Sequence, residues 1–243
     1  MAATAPAASA PDLTLVMPAY TEEEIVAATI KELLLAFERA GHRLEIVAVD
    51  NGSSDRTGAI LAELAASDPR VVPMRVEVNQ GYGHGILAGF PRARAPWVGM
   101  INADGQVDPH DVVKLFEVTR RVKPPALLKV RRRFRMDGFK RKVVSVLYNG
   151  AANLLFGGLG SIDVNGNPKL LPRELLAQMG LRSKDWFIDA EILIKARRLR
   201  VKVIEVNVFG HMREGGSSNV RASTCVEFVR NLLRARFGDG SSA

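Results

Sequence analysis

The feature that most constrains this chain is an alternation through its first half: a short, mostly apolar run, a polar loop, then apolar residues at helical spacing. Leu13 to Met17 stops at Pro18, and Leu44 to Val49 stops at Asp50. Between them Ile25, Ala28, Thr29, Leu33 and Phe37 recur on one helical face, and Gly41 closes the segment, which predicts a helix from Glu22 to Ala40. Thr21 followed by Glu24 reads as a capping box, each side chain satisfying an orphan amide at the helix start. The alternation continues with a helix near Thr57 to Ala66, a strand near Val71 to Val76, a glycine-rich turn into a helix from Gly81 to Phe90, and a strand from Trp97 to Ile101. Apolar runs without internal polar alternation suit strands buried on both faces. The expected fold is therefore α/β, a mostly parallel central sheet flanked by helices, with ligands at the carboxyl ends of the strands.

The second half is less regular. It offers a strand from Ala126 to Val130, a helix from Arg141 to Phe156, a helix from Trp186 to Leu199, a strand from Val201 to Val208 and a helix from Cys225 to Phe237. No linker or repeat interrupts the pattern, so the expectation is one domain over residues 13–237 with short tails at 1–12 and 238–243. One cysteine, Cys225, and four histidines exclude a disulfide framework and a zinc cluster, which points to a reducing compartment. The alanine-rich start lacks the basic region of a signal peptide. The uncharged stretch from Val143 to Ile162 is long enough to span a bilayer, but Asn149, Asn153 and several glycines argue against that. The expected location is the cytoplasm, peripheral on the cytoplasmic face of a membrane.

Charge is concentrated rather than spread. Of a net +8, the segment from Lys129 to Lys142 carries eight basic residues against one acid, Asp137, and so supplies +7. Such clustering suits a phosphate, a polyanion or an anionic membrane surface. With only 6% aromatic residues there is little to stack on bases, and no nucleic acid partner is expected.

Three loops that follow strands carry candidate chemistry. In Asn102-Ala103-Asp104-Gly105-Gln106 the alternate residues point the same way, offering three oxygens to a hard cation such as Mg²⁺ or Mn²⁺; an ordinary Asp-Gly turn is the competing reading. In Asp50-Asn51-Gly52-Ser53-Ser54-Asp55 the first carboxylate could receive hydrogen bonds from a base or ribose, while the serines and Asp55 suit helix capping. Asn79-Gln80-Gly81-Tyr82-Gly83-His84-Gly85 allows close backbone approach to a ligand but lacks the lysine and hydroxyl of a P-loop.

Taken together, Pro18-Ala19-Tyr20-Thr21-Glu22, the loop from Asp50 to Thr57, Asn79 to Gly83 and Asn102 to Gln106 resemble, in order and spacing, the family 2 glycosyltransferases of the GT-A fold. The likeness is greatest to the branch of dolichol-phosphate mannose synthase and the polyprenyl-phosphate glycosyltransferases. It implies inverting transfer of a hexose from a GDP- or UDP-sugar to a polyprenyl phosphate. It further implies that Pro18, Tyr20, Glu22, Asp50, Asn79, Gly81, Asn102 and Asp104 hold the nucleotide-sugar, and that Asp104 and Gln106 bind Mg²⁺ or Mn²⁺. Arg131, Arg141, Ser145 and Arg213 match positions for the acceptor phosphate, with Arg213 closing over the phosphates. Asp104, Arg213 and Asp189 are the candidate catalytic residues, Asp189 as a base for a hydroxyl acceptor or a contact to the sugar. Two positions depart from the branch: Thr21 stands for an Asn and Asn102 for an Asp, the latter removing a negative charge from the metal site. The rival readings are a family 2 enzyme with a hydroxyl acceptor, in which Asp189 is indispensable, and a weakened module that binds anions or membrane.

Overall fold

The structure is a computed structural model and describes residues 10–123, 125–134, 139–209 and 222–237. Its strands are β1 (Leu13–Ala19), β2 (Leu44–Asp50), β3 (Val71–Arg75), β4 (Trp97–Met100), β5 (Ala126–Phe134), β6 (Lys169–Pro172) and β7 (Lys202–Phe209). They form one sheet in the order β3-β2-β1-β4-β6-β5-β7. Strands β3, β2, β1 and β4 are mutually parallel, β6 runs antiparallel to both of its neighbours, and β5 and β7 pair in parallel. After β3 the chain crosses back to the far side of β1, so the strand order reverses there. That reversal opens a crevice above the carboxyl ends of β1 and β4.

The pleat sorts side chains into two layers. Leu13, Leu15 and Met17 of β1 and Leu44 and Ile46 of β2 meet helices α1 (Val26–Arg39), α2 (Thr57–Ser67) and α4 (Pro109–Thr119) on one face. Val16, Val47 and Val49 face the other side, toward α3 (Tyr82–Gly89). That second layer continues over α5 (Phe139–Leu155), α6 (Arg173–Met179), α7 (Ile188–Arg198) and α8 (Ala222–Phe237).

Four expectations are corrected. First, α1 begins at Val26, with Ile25 before it and no side-chain cap, and Thr21 has φ of 54°. In that left-handed conformation the Thr21 hydroxyl donates to the neighbouring Tyr20 carbonyl, so the capping box does not form. Second, β6 and α6 were not anticipated: a four-residue strand headed by lysine, within a stretch rich in glycine, asparagine and proline, has no periodicity to betray it. Third, β5 continues to Phe134 and takes Arg131 and Arg132 into the ladder with β7, opposite Asn207 and Val208. Fourth, Asp12, assigned to the tail, is tied down: its amide donates to the Arg43 carbonyl at 2.8 Å and its carboxylate receives the Arg43 guanidinium at 2.6 Å. The rest of the two tails, residues 1–9 and 238–243, lies outside the described residues.

Candidate active site

The loops after β1, β2, β3 and β4 meet above the crevice and are fastened to one another. The Thr21 amide donates to Ser53 Oγ at 3.1 Å and the Glu22 amide to Thr57 Oγ1 at 2.9 Å, which joins the first loop to the second. Asn51 Nδ2 donates to the Gly81 carbonyl at 3.0 Å and to Asn79 Oδ1 at 3.3 Å, which joins the second to the third. Asn79 Oδ1 also accepts from the Gly81 amide at 2.8 Å. Pro18 lies beside this junction, within 3.0 Å of where a Cβ on Gly85 would sit. Of the capping roles expected after β2, Ser53 instead bridges loops, while Asp55 Oδ1 accepts the Thr57 amide at 3.0 Å at the start of α2.

Asp50, at the end of β2, is buried. Its Oδ1 accepts the Ser53 amide at 2.9 Å and its Oδ2 accepts from Arg75 at 3.0 Å. Tyr20, by contrast, is exposed at the rim, and Glu22 is buried beneath it. The glycines of the third loop are there for clearance. A Cβ on Gly81, whose φ is 113°, would lie 2.4 Å from the Lys184 carbonyl, and one on Gly83 would lie 2.2 Å from that of Ser183. The loop is thereby pressed onto residues 183–185, and the His84 amide donates to the Lys184 carbonyl at 2.8 Å.

Below the loops is a recess lined by Ile101, Asn102, Asp104, Gly105, Gln106, Val107, Arg132 and Asn167. It brings the acid-glycine turn after β4 together with the basic end of β5. Asp104 Oδ1 accepts the Gln106 amide at 3.2 Å, closing the turn, and Gly105 takes φ of 64°. The Asp104 carboxylate and the Gln106 amide are hard oxygen donors beside open space. That donor set fits Mg²⁺ or Mn²⁺, cations commonly held by one or two carboxylates plus the phosphates of a substrate. Among the described residues no three His, Cys, Asp or Glu side chains gather into a metal site.

Arg132, one of the eight basic residues of the charged segment, is half-buried. It forms a two-pronged pair with Asp163, Nε to Oδ2 at 3.0 Å and Nη2 to Oδ1 at 2.9 Å, and its amide also donates to Oδ2. Burial alone would raise the Asp163 pKa, but the Arg132 hydrogen bonds and the nearby Lys129 charge win and hold it well below the usual carboxylate range. Arg131 is half-buried on β5. Arg141 and Ser145 fall on α5 in a part of which only the backbone is described, and Arg213 lies outside the described residues.

Asp189 does not line the recess. It sits behind it on α7, almost wholly buried, where one oxygen pairs with Lys169 Nζ and the other accepts from Asn167 Nδ2 at 3.4 Å. Burial pushes the Lys169 ammonium down to about 8, with Asp189 opposing that fall. Glu191 is also internal, accepting the amides of Arg182 and Ser183 and pairing with Lys195 at 3.0 Å. A second buried lysine, Lys129, donates to the Asp163 carbonyl at 2.6 Å and to Glu205 at 3.1 Å. Sequence reasoning missed Asn167, Asp163 and Lys169, which lie in a stretch with no periodic or motif signal, and it counted Lys129 in the basic segment without expecting its burial. It also missed Tyr82, which stacks on Trp186 with ring centroids 4.3 Å apart and donates from its hydroxyl to Asn102 Oδ1 at 2.6 Å. Burial raises the Tyr82 phenol well above its ordinary value, helped by the Asp189 and Asp104 charges. Asn102, expected to offer an oxygen to a cation, has that oxygen turned to Tyr82.

A mostly parallel sheet of reversed strand order, with an acid-glycine turn at its switch point and Arg132 lining the same recess, is the build of a GT-A glycosyltransferase. The family is established by sequence: the model for "Glycosyl transferase family 2" matches residues 14–178, and the chain belongs to that family. It is 30% identical over 225 residues to an undecaprenyl-phosphate 4-deoxy-4-formamido-L-arabinose transferase of Pectobacterium carotovorum, covering 91% of this chain and 66% of the relative. It is 27% identical over 237 residues to a dolichyl-phosphate beta-glucosyltransferase of Trichomonas vaginalis, covering 91% of this chain and 72% of the relative. The chain thus spans about two thirds of the length of the Pectobacterium relative. In fold it is similar to the glucosyl-3-phosphoglycerate synthase of Mycobacterium tuberculosis, whose structure contains Mn²⁺, UDP and phosphoglyceric acid. The TM-score is 0.74 at 18% identity, covering 95% of this chain and 80% of that one. Among the described residues no helix is long and apolar enough to cross a membrane.

Proposed function

We propose that this protein transfers a hexose, with inversion, from a GDP- or UDP-sugar to a polyprenyl phosphate at the cytoplasmic face of a membrane. The observation that carries the reading is the shared recess: Asn102, Asp104 and Gln106 of the donor-side turn and Arg132 of the basic strand line the same space. A phosphate acceptor needs cations near the reacting diphosphate, and the basic end of β5, with Arg131 and Arg132, supports that reading. The relatives named for transfer to undecaprenyl and dolichyl phosphate support that acceptor class.

In this reading Pro18, Tyr20, Glu22, Asn79 and Gly81 cradle the nucleoside at the rim, while Asp50 holds the second loop and Arg75 in place. Asp104, with Gln106, holds a divalent cation, which when bound offsets the charge of the leaving diphosphate. The resemblance assigns Arg131, Arg141, Ser145 and Arg213 to the acceptor phosphate, and Arg213 to the departing group as well. An acceptor phosphate oxygen is already anionic, so no strong general base is required; positioning and charge stabilisation supply the catalysis. Asp189 then acts behind the site, paired with Lys169 and steadying Asn167, rather than as a base. That burial disfavours the hydroxyl-acceptor alternative.

The test is incubation with a panel of GDP- and UDP-sugars, Mg²⁺ or Mn²⁺ and a short-chain polyprenyl phosphate, read by mass spectrometry. Glycolipid from one donor is the expected result. Donor hydrolysis or donor binding without glycolipid overturns the acceptor assignment, and failure to bind any donor overturns the reading.

A further inference from the structure

Residue 102 stands where the resemblance leads one to expect a carboxylate, yet its surroundings are organised with a definite hydrogen-bond polarity. Lys169 is a pure donor and the Asp189 carboxylate a pure acceptor, and both are buried. The Asn167 amide lies between them with Oδ1 3.3 Å from Lys169 Nζ and Nδ2 3.4 Å from Asp189 Oδ2. Only this orientation satisfies both charges, so the ion pair fixes the amide. The second hydrogen on Asn167 Nδ2 is directed to the Tyr82 oxygen, 3.2 Å away. With that oxygen already accepting, the single Tyr82 hydroxyl hydrogen goes to Asn102 Oδ1 at 2.6 Å, a short hydrogen bond of ordinary O–H···O length. Stacking on Trp186 holds the ring in the plane this requires. The Asn102 oxygen is thereby engaged by Tyr82, and the donor that Asn102 carries at the recess it lines is its Nδ2.

We propose that Asn102 serves the nucleotide diphosphate as a hydrogen-bond donor through Nδ2, with the Lys169–Asp189 pair setting that polarity through Asn167 and Tyr82. Asn102 is then a direct ligand of the diphosphate, whereas Tyr82, Asn167, Lys169 and Asp189 are positioning residues. The consequence is a division of labour across the acid-glycine turn: Asp104 attracts a cation, while two positions earlier an N–H attracts the phosphate oxygen itself. An aspartate at 102 would still accept the Tyr82 hydrogen with one oxygen, but its other oxygen would face the diphosphate with a negative charge. This proposal rests on the nucleotide-sugar reading of the site.

The experiment measures UDP and GDP binding by calorimetry, with EDTA and separately with Mn²⁺, for the wild-type chain, Asn102→Asp and Tyr82→Phe. Side-chain amide NMR on protein labelled with ¹⁵N-asparagine accompanies it. One nucleotide is expected to bind the wild type without metal and to shift one asparagine NH₂ pair that is missing from Asn102→Asp. In EDTA, Asn102→Asp is expected to lose about tenfold or more in nucleotide affinity, and Tyr82→Phe several-fold, because a hydrogen bond to a charged group is lost or left free to rotate. With Mn²⁺ the Asn102→Asp loss should shrink or reverse. If the nucleotide binds all three proteins equally in EDTA, or binds without moving the Asn102 resonances, the donor role of Asn102 is wrong while the nucleotide site stands. If neither nucleotide binds the wild type under either condition, the site reading falls and this proposal with it. Asparagine to aspartate at a half-buried position is nearly isosteric, and the NMR spectrum reports directly whether each variant is folded.

Discussion

Replacing Lys169 with methionine removes the cation paired with Asp189 and leaves a carboxylate in the interior. Both side chains are sealed, at 0% and 2% exposure, and the neutral partner remaining to Asp189 is Asn167 Nδ2 at 3.4 Å. Breaking one side of such a pair costs about 3–5 kcal/mol, whereas replacing both sides with apolar groups of similar size is often nearly neutral. For a chain of this length each kcal/mol moves the melting temperature by roughly 2–4 °C, so Lys169→Met should melt about 10 °C below the wild type. The double variant Lys169→Met/Asp189→Leu should recover most of that loss, giving a coupling energy of about 2–3 kcal/mol in a double-mutant cycle. Circular dichroism melts and urea titrations measure both quantities. The recovered double variant should still transfer sugar poorly, because Asn167 has lost both groups that orient it. A single variant within about 1 kcal/mol of wild type, or a double variant as unstable as the sum of the singles, would refute the assignment of this pair as a closed internal charge unit.

The same lysine predicts a pH dependence. Its folded value of about 8 lies below the roughly 10.4 of an unfolded lysine, so between those values the unfolded chain binds more protons and unfolding free energy should rise with pH; Lys169→Met should flatten that rise in pH-dependent urea titrations. Asp163 works in the opposite range: its folded value is depressed, so its contribution is complete above the ordinary aspartate value and fades as the solution is acidified, and Asp163→Asn should remove that acid sensitivity. Gly83→Ala would put a methyl 2.2 Å from the Ser183 carbonyl and 2.7 Å from that of Asp185, and backbone on both sides cannot step aside; it should cost about 1–3 kcal/mol in a melt and weaken UDP or GDP binding by loosening the third loop. Asp104→Ala should lower sugar transfer by about two orders of magnitude or more in the glycolipid assay, and unchanged turnover would remove the cation from the mechanism.

The donor half of the site was legible because its parts sit in short loops directly after apolar strands, where a local reading suffices. Asp104, Gln106, Asn79 and Gly81 all fall where that rule puts them. What could not be read locally is the partner each side chain takes. Asp50 closes on Ser53 and Arg75, and Thr21 enters a left-handed turn instead of capping α1, because both respond to loops from elsewhere in the chain. The acceptor half was harder. A fully buried lysine reads as a surface residue, so Lys169 concealed β6, while Lys129 and Arg132 looked like members of a charged run although both are taken into β5. Asn167 carries no motif at all; its importance comes from what the fold places on either side of it.

The antiparallel β6 also bears on how the chain comes to be folded. Strands β3, β2, β1 and β4 are complete once Met100 has been made and pair with one another in parallel, β4 alone having a further partner, β6, still to come, so this half of the sheet can assemble early. Strand β5 follows at Ala126, but neither of its neighbours exists yet: β6 begins at Lys169 and β7 at Lys202. During synthesis, then, the open edge of β4 and the whole of β5 wait for strands still to come, and unpaired edges of this kind invite pairing with other chains. The lysine that opens β6 closes the gap between β4 and β5, and its partner Asp189 is made after it on α7, so the joining of the two halves of the sheet and the completion of the buried ion pair both come late in synthesis.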